Sequence, residues 1–135
     1  MYLLDTNICI YLMKHQPDAV VKRFENLAVG EVFISSITLA ELEHGVEHDP
    51  KLQSARQKAL DNMLELLPVL DFDKHAARAY GKLRSGNVLL GRHRFDVLIA
   101  AHALSAHAIL VTNNTKDFRG LKGLAIENWV TGETY

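Results

Sequence analysis

Cysteine is almost absent: Cys9 stands alone among 135 residues, so no disulfide can form within the chain. A reducing compartment, the cytoplasm, is the expectation. An excess of basic charge is missing too, since 15 Lys and Arg face 16 Asp and Glu for a net charge of -1. Proteins that hold nucleic acid by charge alone carry a basic footprint. A nucleic-acid partner here requires a metal ion or local Arg and Lys to offset the carboxylates. No stretch approaches the roughly 18 apolar residues that a membrane-spanning helix needs. The first residues lack the basic region and apolar length of a signal peptide. Repeats, low-complexity tracts and linkers are also lacking. What remains is an ordinary globular balance, 48% hydrophobic and 23% charged. It is expected to form one domain over residues 1–135, large enough to bury a core.

Apolar and polar segments alternate in a strand–helix rhythm. Residues 2–5 read as a short buried strand and residues 7–13 as a helix. Pro17 can open the next helix, in which Val20, Val21, Phe24 and Leu27 recur at helical spacing. Residues 31–35 read as a second strand, followed by a helix capped by Ser36 or Thr38 and carrying Leu39, Leu42 and Val46. A long amphipathic helix is expected over 51–66, ended by Pro68, then an edge strand over 69–72. Residues 73–85 are helical, 86–94 a loop bounded by glycines, and 95–107 an apolar helix. Strands follow at 108–111 and 124–127. Such alternation predicts an α/β fold with a central parallel sheet of four to five strands and helices on both faces.

Within that scheme the acids are placed unevenly. Asp5 ends the first strand, on an apolar run where a charge is unusual. Glu41 lies in the helix after the second strand, and Asp117 follows the strand 108–111. Asp96 joins them if its helix begins at the same sheet edge, where open α/β sheets bind ligands. Clustered acids repel, and a hard divalent cation held by oxygen ligands offsets them. Each acid also has a plainer reading. Asp5, Asp96 and Asn114 are eligible helix caps, with Asp117 three residues beyond Asn114, and Glu41 is eligible as a solvated helix residue. Cys9 and His102 read as packing residues, and Trp129 as the place where the C-terminal tail docks.

Four segments, in order, resemble the PIN-domain family and within it the VapC-type toxin ribonucleases. They are Leu3-Leu4-Asp5-Thr6-Asn7; Ser35 to Leu42 with Gly45; Phe95 to Ala103; and Leu110 to Asn114 with Asp117-Phe118. The resemblance implies a PIN fold and an endoribonuclease that uses Mg²⁺ or Mn²⁺. It implies the toxin half of a toxin–antitoxin pair, a small VapB-type antitoxin as partner, and a homodimer. Carried over, Asp5, Glu41 and Asp96 match the acidic triad. Where many relatives have a fourth acid this chain has Asn114, which leaves Asp117 as the nearest carboxylate. Direct or water-mediated metal binding by Asp117, and one ion or two, both stay open.

On this reading Asp5 and Asp96 hold the metal and Glu41 binds or orients its water. In-line attack on an RNA phosphodiester, of a tRNA or another structured RNA, leaves a 5′-phosphate and a 3′-hydroxyl. Thr6, Asn7, Thr112, Asn113 and Asn114 orient the acids or touch substrate. Arg92 and Arg94, just before Asp96, are expected to contact RNA phosphates. Rival readings carry their own signatures. His44-Gly45-Val46-Glu47-His48 fits the HxxEH pattern of inverted zinc proteases, with the histidines four apart. A receiver-type phosphoacceptor calls for paired acids after the first strand, where this chain has Thr6 and Asn7. A PIN-like module that binds RNA or a partner without catalysis is the third alternative.

Overall fold

Residues 1–86 and 93–135 are described by a computed structural model of the chain. The expected loop contact Arg92 lies outside the described residues. The strands are β1 (Tyr2–Leu4), β2 (Val32–Ser35), β3 (Val69–Leu70), β4 (Ile109–Val111) and β5 (Ile126–Glu127). All neighbouring pairs are parallel, in the order β3-β2-β1-β4-β5. The helices are α1 (Thr6–Met13), α2 (Asp18–Glu25), α3 (Ser36–Glu47), α4 (Gln53–Leu64), α5 (Lys74–Ser85), α6 (Arg94–Ser105) and α7 (Thr115–Phe118).

Strand side chains alternate between the two faces, and each face builds its own core. Leu4, Val32, Ile34 and Val111 pack on one side with Ile8, Leu12, Val20, Leu42, Val46 and Leu60 from α1–α4. Leu3, Leu110 and Ile126 pack on the other with Val97, Ala100, Ala103 and Phe118, joined at the margin by Phe33 and Leu70. Covering both faces explains why the strands read as unbroken apolar runs. The small residues Ala100, Ala101 and Ala103 let α6 lie against the sheet, all fully buried.

The order of the strands sets the position of the site. From β1 the chain steps outward to β2 and β3, then returns to β4 on the other side of β1 and continues to β5. The direction of winding reverses between β1 and β4, and the crevice at such a reversal, beyond the carboxyl ends, is where α/β sheets bind ligands. Asp5 and Thr112 are the first residues past those two strands.

Two caps differ from expectation. Ser35, the last residue of β2, caps α3 itself by accepting from the Ile37 N–H at 3.1 Å, in place of Ser36 or Thr38. The strand therefore turns directly into the helix. Ser36 instead accepts from the Phe72 N–H at 3.0 Å. His93, not Asp96, caps α6 through Nδ1, which accepts from the Phe95 N–H at 3.3 Å. Asp96 is thereby left free of capping. Pro17 occupies the cap position of α2, one residue before its first turn.

Candidate active site

Asp5 lies at the tip of the central strand and is only 8% exposed. It caps α1, one oxygen accepting from the Ile8 N–H at 2.9 Å, so its carboxylate is aimed by the strand-to-helix turn. Its backbone N–H donates to Val111 O at 3.0 Å, tying β1 to β4 at this point. Thr112 is fully buried beside it. The Asn114 N–H donates to Thr112 Oγ1 at 3.0 Å, which leaves the hydroxyl hydrogen for the Asp5 carboxylate.

Burial pushes the Asp5 pKa from 3.8 up to about 6. The bonds from Thr112 and Ile8 pull it down, while the charges of Asp96 and Glu41 raise it. Asp96, in the first turn of α6, is raised as well, chiefly by desolvation. His93 opposes that rise, and the charges of Glu41 and Asp117 add to it. The three acids expected to converge, Asp5, Glu41 and Asp96, thus lie within one another's fields, with Asp117 acting on Asp96.

Glu41 is half-buried on α3, and Thr6 donates to its Oε1 at 2.6 Å. That bond spans 35 residues and joins the start of α1 to the middle of α3. Asp117 accepts from Asn114 Nδ2 at 2.6 Å, so Asn114 orients the carboxylate and makes no side-chain cap to the α7 backbone. Asn113 is exposed and links two elements: its Nδ2 donates to Tyr11 Oη at 3.4 Å and its Oδ1 accepts from Asn128 at 3.0 Å. Asn7 and Arg94 are exposed on the first turns of α1 and α6. Cys9 is buried behind Asp5, its thiol pushed well above the ordinary range, first by burial and then by the Asp5 charge.

Among the described residues, no Lys or Arg forms an ion pair with Asp5, Glu41 or Asp96. Among the described residues the donor set is therefore carboxylate oxygen, with no Lys or Arg paired to it and only His93 acting against the charge of Asp96. Among the same residues, no three His, Cys, Asp or Glu side chains form a ready-made ion cage. This set fits a hard cation that keeps several of its waters and takes few direct carboxylates, as Mg²⁺ does. It does not suit zinc, whose structural sites use four N or S ligands. His44 and His48 are exposed with ring centroids 6.4 Å apart, and Glu47 is taken up by Gln53.

Two features of the site escape motif reading. Thr112 as the donor to Asp5 depends on β1 and β4 being neighbours, although its place at a strand tip pointed toward an orienting role. The bond between His102 Nδ1 and Ser35 Oγ, 2.8 Å across 67 residues, ties α6 to the start of α3.

A five-stranded parallel sheet with acids at its winding reversal defines a class, and a PIN domain family model matches residues 2–124. The chain belongs to that family. It is similar to Ribonuclease VapC2 of Rickettsia felis, 40% identical over 134 residues that span 96% of this chain and 98% of that protein. It is also similar to the tRNA(fMet)-specific endonuclease VapC of Shigella flexneri, 40% identical over 130 residues, 95% and 97% of the two chains. Among solved structures, VapBC2 from Rickettsia felis bound to a promoter DNA fragment matches with a TM-score of 0.86 and 40% identity, covering 95% of this chain and 98% of that one.

Proposed function

We propose that the protein is an endoribonuclease, the toxin of a VapBC-type toxin–antitoxin pair, and that it hydrolyses phosphodiesters of a structured RNA with the help of Mg²⁺ or Mn²⁺. One observation carries the chemistry: Asp5, Glu41 and Asp96 lie within one another's fields at the winding reversal, and among the described residues no Lys or Arg pairs with them. The relatives named as VapC ribonucleases, and the solved VapBC complex, support the substrate class and the antitoxin partner.

Asp5 and Asp96 are the residues that would hold the ion, with the charge of Asp117 acting on Asp96. A bound divalent cation supplies charge compensation at the scissile phosphate and a lowered pKa for its water. Thr112 and the Ile8 N–H keep Asp5 ionised and aimed. Thr6 holds one oxygen of Glu41, leaving the other to orient the attacking water and accept its proton. Attack in line breaks the P–O3′ bond, giving a 5′-phosphate and a 3′-hydroxyl. Asn7, Arg94 and Asn113 are exposed around these acids, in reach of RNA phosphates and bases.

Beside Glu41 opens a cavity of about 560 Å³ between α1, α3 and α4, lined by Ile10, Met13, Leu42, Val46, Leu52 and Ala59. An apolar groove of this kind takes the apolar face of a partner helix. An antitoxin seated there sits next to the acids and blocks RNA.

The test is cleavage of a labelled stem–loop RNA by purified protein, with and without EDTA. Wild type is expected to cut, EDTA to stop it, and Mg²⁺ to restore it, while folded Asp5→Ala is inactive. Cleavage by Asp5→Ala, or cleavage indifferent to EDTA, overturns the reading. RNA binding without cleavage by the wild type returns it to a non-catalytic PIN module.

A further inference from the structure

Of the five phenylalanines, four are buried or half-buried and one, Phe95, is 42% exposed. It sits immediately before Asp96 at the open end of α6. The hydrophobic cost of leaving an aromatic ring in water makes such a position notable beside a cluster of acids. The ring is also braced. His93 packs against it with centroids 5.5 Å apart and planes tilted by 58°. The same imidazole caps the helix through Nδ1, so its orientation is fixed by the backbone N–H of Phe95. Phe95 directly precedes Asp96 in the first turn of α6, which places the aromatic pair beside the acids.

We propose that Phe95, braced by His93, is a stacking platform for one unpaired nucleobase next to the phosphodiester that is cut. Aromatic side chains hold splayed RNA bases by stacking on their π-faces, and every base offers such a face. Stacking here fixes the strand against the acids without reading sequence. The exposed Arg94, between the two in sequence, is suited to the neighbouring phosphate. This inference rests on the ribonuclease reading, and names where that reaction's substrate is gripped.

The experiment compares wild type with Phe95→Ala, Phe95→Leu and Phe95→Trp on a stem–loop RNA that the wild type cleaves, and on copies with one abasic ribose on either side of the cut. Phe95→Ala and Phe95→Leu are each expected to lower kcat/KM by roughly 5- to 150-fold, the range of base–aromatic stacking, mainly through KM. Phe95→Trp is expected to retain activity. At one flanking position the abasic substrate should lose the same factor with wild type and no more with Phe95→Ala. Three results overturn the proposal while leaving the ribonuclease reading intact: Phe95→Ala within twofold of wild type, full activity in Phe95→Leu, or losses that multiply at every abasic position. A Phe95→Ala protein whose activity falls together with a change of oligomeric state also overturns it, since the ring then serves a contact between chains. Wild-type protein that cleaves no RNA overturns both readings at once.

Discussion

His102 Nδ1 and Ser35 Oγ stand 2.8 Å apart, buried between α6, which carries Asp96, and the start of α3, which carries Glu41. Ser35 already accepts from the Ile37 N–H, so its hydroxyl hydrogen is free to go to Nδ1 of a neutral imidazole. Phe72 packs edge-on to the ring with centroids 5.4 Å apart. The His102 pKa is lowered, first by desolvation, against the raising pull of Asp73 and Asp71. Because the folded value lies below 6.5, the unfolded chain takes up the proton first as pH falls. Stability from this group is thus fully present above about pH 6.5 and declines as pH drops toward the lowered folded value. His102→Leu should cost about 1–3 kcal/mol by leaving Ser35 without its partner, and should flatten the acid side of the stability curve. Thermal melts from pH 5 to 8 check both; an unchanged acid slope contradicts the titration.

Asp5 gives the opposite sign. Its folded pKa of about 6 lies above 3.8, so between those values the folded state holds more protons and stability falls as pH rises. In EDTA-treated protein at pH 7 this amounts to at most about 3 kcal/mol, at 1.36 kcal/mol per unit. Asp5→Asn keeps a good capping side chain and removes the charge. Its melting temperature without metal is therefore expected to exceed that of the wild type by several degrees. Added Mg²⁺ should stabilise the wild type more than the variant. Equal melts with and without Mg²⁺ would show that the acids do not act together.

Much of this site was legible in the sequence because it sits at strand tips. Unbroken apolar runs mark the strands, and an acid directly after such a run is placed by the chain itself; Asp5 needs nothing further. Asp96 and Glu41 are one step harder, since their helices must begin at the same edge, and only the strand order β3-β2-β1-β4-β5 brings them there. The helix caps were less legible. Ser35 serves as both strand end and cap, and His93 is a poor capping type by propensity. The bonds from Thr6 to Glu41 and from His102 to Ser35 span 35 and 67 residues. No local pattern encodes them; they follow from packing.

Thr112 makes a sharper test of how Asp5 is kept ionised. Its hydroxyl lowers the Asp5 pKa against the burial that raises it. Thr112→Val preserves shape and deletes the donor to Asp5, together with the acceptor for the Asn114 N–H, so Asp5 holds its proton to higher pH. Protons then compete better with the metal. The Mg²⁺ concentration for half-maximal cleavage should rise roughly tenfold, the equivalent of about 1.4 kcal/mol, and more steeply at pH 6 than at pH 8. A metal requirement that does not move at either pH assigns Thr112 to packing alone.

Arg23 predicts a separation of stability from activity. Its guanidinium lies over Tyr2 and Trp129, 5.2 and 5.5 Å from the ring centroids. It donates to Tyr2 Oη at 2.9 Å and pairs with Glu127 at 3.5 Å. Glu127 also accepts from Trp129 Nε1 at 3.0 Å. Trp129 belongs to the tail that folds back through Ile126 and Tyr135, each N–H bonded to the other's carbonyl. One side chain from α2 therefore pins the first strand to the last turn. Arg23→Ala should cost about 1–2 kcal/mol, from a cation–π contact, one hydrogen bond and a partly exposed ion pair. Arg23→Lys recovers little, because a compact, strongly hydrated ammonium lacks the planar, delocalised guanidinium that lies over aromatic rings. Amide exchange should quicken in residues 126–135, while kcat on RNA at 25 °C stays within twofold, since none of these groups contacts the acids. A large fall in kcat with an unchanged melt would mean that the tail shapes the site.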